Sequence, residues 1–269
     1  MDVPQSGMSV SSGGPVRQTV FLLHSSGLSS RQWGRLADAL TPTHDVIAPD
    51  FLGSGERASW SDDPGFDFSE DVDLVEAEIA RVDAPVHLVG HSYGGLVAAT
   101  LARRSPGRIR SLALYDPVAF GVLHGASDQE GLDDLMTVGR QPVFLDAERG
   151  GGDEWFEAFV DYWNGAGAWR GMTESGRASF LRVGRKVFHE VRSLSNDRTE
   201  ASAYATLPAP VLLLGGEKSP AAARRVVAIL ADAFPRGRLL IVPGAGHMGP
   251  LTHGTTVNEA IVAHIASAS

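Results

Sequence analysis

The 269-residue sequence contains no cysteine. That excludes disulfides, a thiolate nucleophile and any Cys-ligated zinc site, and it fits a reducing compartment. Basic residues are also outnumbered: 23 Lys and Arg stand against 32 Asp and Glu, for a formal net charge of −9. So acidic a chain argues against nucleic acid as a partner and predicts little attraction to anionic membranes. Long apolar runs are missing as well, and none approaches the roughly 20 residues that span a bilayer. The opening MDVPQSGMSVSSGGPVRQ has neither a basic start nor the apolar stretch of a secretory signal. The expectation is a soluble, cytoplasmic protein whose partner is a small molecule.

What is present suffices for one large domain with a substantial core. Residues 1–15 are rich in Ser and Gly and predict a mobile tail. Beyond them stand six short apolar runs: VFLL (20–23), DVIA (45–48), VHLV (86–89), SLALY (111–115), VLLLG (211–215) and RLLIV (238–242). None alternates strictly with polar residues, which suits strands buried on both faces of a parallel sheet. Helical spacing lies between them. Val72, Val75, Ile79 and Val82 follow Ser69, the expected N-cap, and 96–104 and 226–234 read similarly. Alternating strands and helices predict an α/β fold, a mostly parallel sheet with helices on both faces.

The alternation stops between 120 and 207. That stretch predicts a helical insertion, leaving 16–119 and 208–269 as the core. Trp155, Phe156, Phe159, Tyr162 and Trp163 fall on one helical stripe. Such a stripe packs the insertion on the sheet domain, and it could also line a substrate pocket, with Trp155 and Trp163 as the candidate binding residues.

Between the run VHLV and the helical LVAATLARR lies Gly90-His91-Ser92-Tyr93-Gly94-Gly95. This is G-x-S-x-G in a strand-to-helix turn, a context that sets it apart from chance matches. So sharp a turn strains its central residue, and glycines two positions away on either side avoid collision. The helix that starts there aims backbone N–H groups at a developing oxyanion. A serine hydroxyl still needs an imidazole to take its proton. His247 follows RLLIV through Pro243-Gly244-Ala245-Gly246 and is the best placed of nine histidines, with His253 as its rival. His87 and His264 read as structural.

With these motifs the chain resembles the α/β-hydrolase superfamily over nearly its whole length. The resemblance implies Ser92 as nucleophile and His247, in GAGH, as base. His24-Ser25-Ser26-Gly27 stands for the family's HG-type loop, with Ser25 in place of the usual Gly, and Asp50-Phe51-Leu52-Gly53-Ser54-Gly55 for its D-x-x-G-x-G loop. The implied oxyanion donors are the backbone N–H groups of Tyr93 and of Ser26, or less favourably Ser25, with His24 fixing that loop. The family's usual acid follows the strand VLLLG, where this sequence has Ser219. Serine cannot supply the charge. Asp116, at the end of SLALY, occupies the place some members of the superfamily use; Glu217 lies close to the usual place; a Ser–His dyad aided by Ser219 or water is the third reading. Asp116 is the expected acid.

A serine nucleophile favours acyl transfer on a small or medium, partly apolar carboxylic ester, thioester or lactone. A C–C bond hydrolase, a cofactor-free perhydrolase and a non-catalytic ligand-binding protein on the same fold are the alternatives. No cofactor or metal is implied, since no HxxxH or clustered acidic set accompanies these residues.

Overall fold

All six apolar runs form strands: β1 (Gln18–Leu23), β2 (His44–Ile47), β3 (Val86–His91), β4 (Ile109–Tyr115), β5 (Val211–Gly216) and β6 (Gly237–Val242). The structure, a computed structural model, describes residues 17–57 and 60–268; the tail expected over 1–15 lies outside the described residues. The strands make one sheet in the order β2-β1-β3-β4-β5-β6, and each pairing is parallel.

Successive residues of a strand face opposite ways, and here both faces are covered. Phe21, Leu23, Leu88, Leu112, Leu114 and Leu213 point into one core with α2 (Ser69–Ile79), α3 (Tyr93–Arg104) and α11 (Ala221–Ala233). Val20, Leu22, Val89, Ala113, Leu212 and Leu214 point into the other, against α1 (Gly34–Leu40) and α13 (Gly254–Ser267). Two apolar neighbourhoods explain the unbroken apolar runs. At the sheet edge β6 is less enclosed, and Leu239 and Ile241 are each 39% exposed. The expected N-cap also moves: Ser69 is the first residue of α2, and its N–H donates to Asp67 Oδ1 (2.9 Å). Glu70 Oε1 in turn accepts from the Asp67 N–H (3.1 Å), so the turn before α2 is held by side chains on both sides.

Between β4 and β5 the chain is helical, as expected: α4 (Gly121–Gly125), α5 (Gln129–Gly139), α6 (Pro142–Leu145), α7 (Asp153–Asn164), α8 (Ala168–Gly171), α9 (Glu174–Arg182) and α10 (Gly184–Ser195). The short α12 (Gly249–Thr252) precedes α13. Because the strands are parallel, the segments after β1, β3, β4 and β6 emerge at one edge. They carry Ser26, Ser92, Asp116 and His247. Strand order also reverses there, since β1 sits between β2 and β3, and such a switch opens a crevice at the carboxyl ends.

Candidate active site

Ser92 sits between β3 and α3 at φ 54° and ψ −117°, a conformation costly for any residue with a side chain. The turn is held open by absence of bulk. A Cβ on Gly90 would lie 2.4 Å from the Gly94 carbonyl oxygen, and one on Gly94 would lie 2.4 Å from that of Leu23. At these two glycines the requirement is space; the strain falls on Ser92 itself. Asp116 is the second strained residue at this edge, with φ 41°, anchored by its N–H to the Leu214 carbonyl (2.9 Å).

These residues meet through His247. Its Nδ1 donates to Asp116 Oδ2 (3.2 Å), which leaves Nε2 to accept from the Ser92 hydroxyl (3.0 Å). All three side chains are buried. The Ser219 hydroxyl also donates to Asp116 Oδ2, at 2.6 Å. The serine standing where the family's acid is usual therefore holds the carboxylate that reaches in from β4. Oδ1 makes no hydrogen bond of good geometry. Burial pushes the Asp116 carboxyl up to about 7, opposed by the Ser219 hydrogen bond, the neighbouring His91 and the nearby Gly216 N–H. Burial pushes the pKa of the His247 imidazole down, so the ring is neutral and able to accept a proton.

The other candidates lie elsewhere. Glu217 is exposed and its Oε2 accepts the Gly244 N–H (2.7 Å), bracing the loop before His247 rather than the imidazole. His253 Nδ1 bonds the Thr252 hydroxyl (2.9 Å), away from Ser92. His87 pairs with Ser111 and Gln18 inside the sheet, and His264 with the Leu112 carbonyl. His24 bridges its own loop to the next: Nδ1 donates to the Ser25 carbonyl (2.8 Å) and Nε2 accepts the Phe51 N–H (3.2 Å).

The Ser25 N–H is spent on Gln32 Oε1 (2.9 Å). The N–H groups of Ser26 and Tyr93 have no hydrogen-bond partner among the described residues. Tyr93 is steadied from its side chain, whose hydroxyl donates to Asp71 Oδ2 (2.7 Å). Lys186 donates to the same oxygen (2.7 Å) and to Glu190 Oε1 (2.9 Å), which ties α10 to α2 and α3 through ions less than 3% exposed. Burial alone would depress the Lys186 ammonium, but its two carboxylates outweigh it and hold the pKa above the ordinary value. Burial raises that of Glu190. Sequence reading missed this cluster, because Asp71 and Lys186 are 115 residues apart and each lies in an ordinary amphipathic helix.

Beside Ser92 and Ser26 lies a cavity of about 120 Å³, walled by Val118, Phe120, Leu135, Phe159, Trp163 and Leu194 among others. No Asp, Glu, Lys or Arg is among its described lining residues. Trp163 lines this cavity, and its indole stacks on the His247 ring with centroids 3.8 Å apart and planes at 23°. Trp155 does not. It is fully buried in the insertion's own core, stacked between Phe144 and Phe159, with its indole N–H on the Phe144 carbonyl (3.4 Å). The two tryptophans share a helix face but sit two turns apart, and only the C-terminal end of α7 reaches the sheet edge. No metal-binding group of His, Asp and Glu, and no helix long and apolar enough to cross a membrane, occurs among the described residues.

The model of the alpha/beta hydrolase family matches residues 20–260, a span that takes in Ser26, Ser92, Asp116 and His247. The chain belongs to the alpha/beta hydrolase family. This alpha/beta hydrolase is 35% identical over 134 residues to lipase LipV of Mycobacterium tuberculosis, a match covering 49% of the chain and 47% of that lipase. It is 38% identical over 117 residues to a pimeloyl-(acyl-carrier protein) methyl ester esterase of Neisseria meningitidis, covering 42% of the chain and 41% of the esterase. The chain thus spans less than half the length of either relative. A thermophilic esterase structure from Thermogutta terrifontis superposes with a TM-score of 0.69 over 93% of the chain and 90% of the esterase, at 21% identity, a likeness of fold.

Proposed function

We propose that this hydrolase cleaves a small or medium, partly apolar carboxylic ester, thioester or lactone through an acyl-enzyme formed on Ser92. The observation that carries this reading is the hydrogen-bonded line from Ser92 through His247 to Asp116, at 3.0 and 3.2 Å, beside an apolar cavity. His247 Nε2 takes the Ser92 proton as Oγ bonds to the substrate carbonyl carbon, and the carbonyl π pair moves onto its oxygen. The free N–H groups of Ser26 and Tyr93 receive that oxyanion. Collapse of the tetrahedral intermediate expels the alkoxide or thiolate, which takes the proton from His247. Water then repeats the steps on the acyl-enzyme, releasing the acid and restoring Ser92. Asp116 stays ionised throughout, orients the imidazole and stabilises its protonated form.

The cavity supports an uncharged acyl group, since a charged one would lose its hydration with no partner in return. Residues 120–207 act as a cap, closing the site from above with Trp163 against His247. Lipase and esterase relatives support the same bond class. A sequence without cysteine fits a reducing compartment. A fluorophosphonate probe is expected to label the native protein and to leave Ser92→Ala unlabelled. A native protein that resists the probe at active concentrations removes the serine-hydrolase reading.

The pH profile provides a second test. Asp116 and His247 titrate as a pair, and the proton the pair takes up on acidification disables the base. With Asp116 raised to about 7, kcat/KM is expected to fall as pH drops through neutrality. Ser219→Ala removes a hydrogen bond that favours the carboxylate, so it moves this acid limb to higher pH while leaving the high-pH plateau within about tenfold of native. A limb unmoved or moved to lower pH contradicts the role given to Ser219.

A further inference from the structure

Gln32, in the 3-10 turn at Ser30–Trp33, and His91, the residue just before Ser92, take no part in the proton transfers above. They nevertheless connect two loops that do. The Ser25 N–H donates to Gln32 Oε1 (2.9 Å), Gln32 Nε2 donates to His91 Nδ1 (3.0 Å), and His91 Nε2 donates to the His247 carbonyl oxygen (2.8 Å). Each direction is forced. A carbonyl oxygen only accepts, so His91 carries its proton on Nε2 and its Nδ1 is an acceptor. Gln32 must then turn its amide nitrogen to Nδ1, which leaves its oxygen for Ser25. One polarity therefore runs from the loop after β1 to the loop after β6.

The surroundings hold this chain in place. His91 is fully buried, Tyr115 packs edge-on against it with centroids 5.6 Å apart, and the Tyr115 hydroxyl donates to the Gly246 carbonyl (2.8 Å). Two core side chains thus grip consecutive carbonyls of the segment that presents His247. We propose that Gln32 and His91 are positioning residues for acyl transfer: they engage the Ser25 N–H, leaving that of Ser26 for the oxyanion, and they fix the backbone of the base. The catalytic consequence rests on the serine-hydrolase reading, while the bond polarity does not. Burial, reinforced by neighbouring His247, pushes the His91 pKa down to about 3, so the neutral Nε2–H tautomer persists across the working range.

Two measurements test this separately. Long-range proton–nitrogen NMR on the native, nitrogen-15-labelled protein is expected to find His91 protonated at Nε2 only; a proton on Nδ1 overturns the proposal whatever the reaction. Gln32→Leu and Gln32→Met, assayed on p-nitrophenyl butyrate, are expected to lower kcat about tenfold, as a displaced catalytic loop does. KM should stay within about twofold, because neither side chain lines the cavity. If either variant folds, melts at a lower temperature and keeps native kcat, the residues are merely structural and the proposal fails. Should the native protein resist the fluorophosphonate, the hydrolase reading falls and the NMR result still decides the polarity.

Discussion

Asp116→Asn will lower kcat on a p-nitrophenyl ester by about 10⁴-fold while the protein remains folded. The replacement is isosteric, so the strained turn at φ 41° has no steric reason to change, and the Ser219 hydroxyl, which shares Oδ2 with His247, turns to accept from the amide instead of donating. What changes is the proton map. An amide presents an N–H to His247 Nδ1, which must then accept, and the imidazole proton moves to Nε2. That nitrogen can no longer take the proton of Ser92. Stability should move the other way, because the substitution removes a buried carboxylate whose burial costs free energy. The melting temperature is expected to hold or rise as activity collapses. Near-native turnover would reject the assignment, and Glu217→Gln, at an exposed carboxylate bound to Gly244, serves as the control expected to stay within about twofold of native, like an ordinary surface change.

Gly94→Ala is the second large effect, and it strikes fold and site together. The new methyl would lie 2.4 Å from the Leu23 carbonyl oxygen and 2.5 Å from that of His24. Both contacts are backbone, so no side chain can swing away. Relief requires moving the end of β1, and with it Ser25 and Ser26, away from α3. The Gly94 N–H, which donates to the same His24 oxygen at 3.1 Å, is strained in the process. Overpacking of this kind costs about 3 kcal/mol, or about 6–12 °C in melting temperature for a chain of this size. Fluorophosphonate labelling should slow by about 100-fold, as loss of an oxyanion donor does. Gly107→Ala, where no atom lies within 4 Å, is the matched control. Equal melting temperatures for the two variants would refute this account of the turn.

The strands were legible because each is an unbroken apolar run, and a sheet covered on both faces demands that pattern. The glycines around Ser92 were legible because the turn leaves no other choice. Ser92, Asp116 and His247 could be paired by type and chain order; their distances could not. What the sequence hid are contacts that join distant segments by one hydrogen bond each. Ser219 reaches Asp116 across 103 residues, and Gln32 reaches His91 across 59. A serine or glutamine in a turn carries no periodic signal, so nothing local distinguishes these from their exposed counterparts. Trp155 and Trp163 pose the same difficulty in another form. Periodicity assigns both to one helix face, but only the tertiary packing of α7 decides which of them touches His247.

The placement of Asp116 after β4 has a consequence for how the site comes together. Ser92 and Asp116 lie at the ends of neighbouring, directly paired strands joined by α3 and the short 3-10 turn Pro106–Arg108. Their mutual distance is therefore set within a single local βαβ unit of low contact order. His247 arrives from 131 residues beyond Asp116, after the whole helical insertion has been traversed. An acid after β5 would have put that insertion between nucleophile and acid as well. Here insertions or deletions in 120–207 leave the spacing of Ser92 and Asp116 untouched, and the chain is free to remodel its substrate chamber while two of the three groups stay in register.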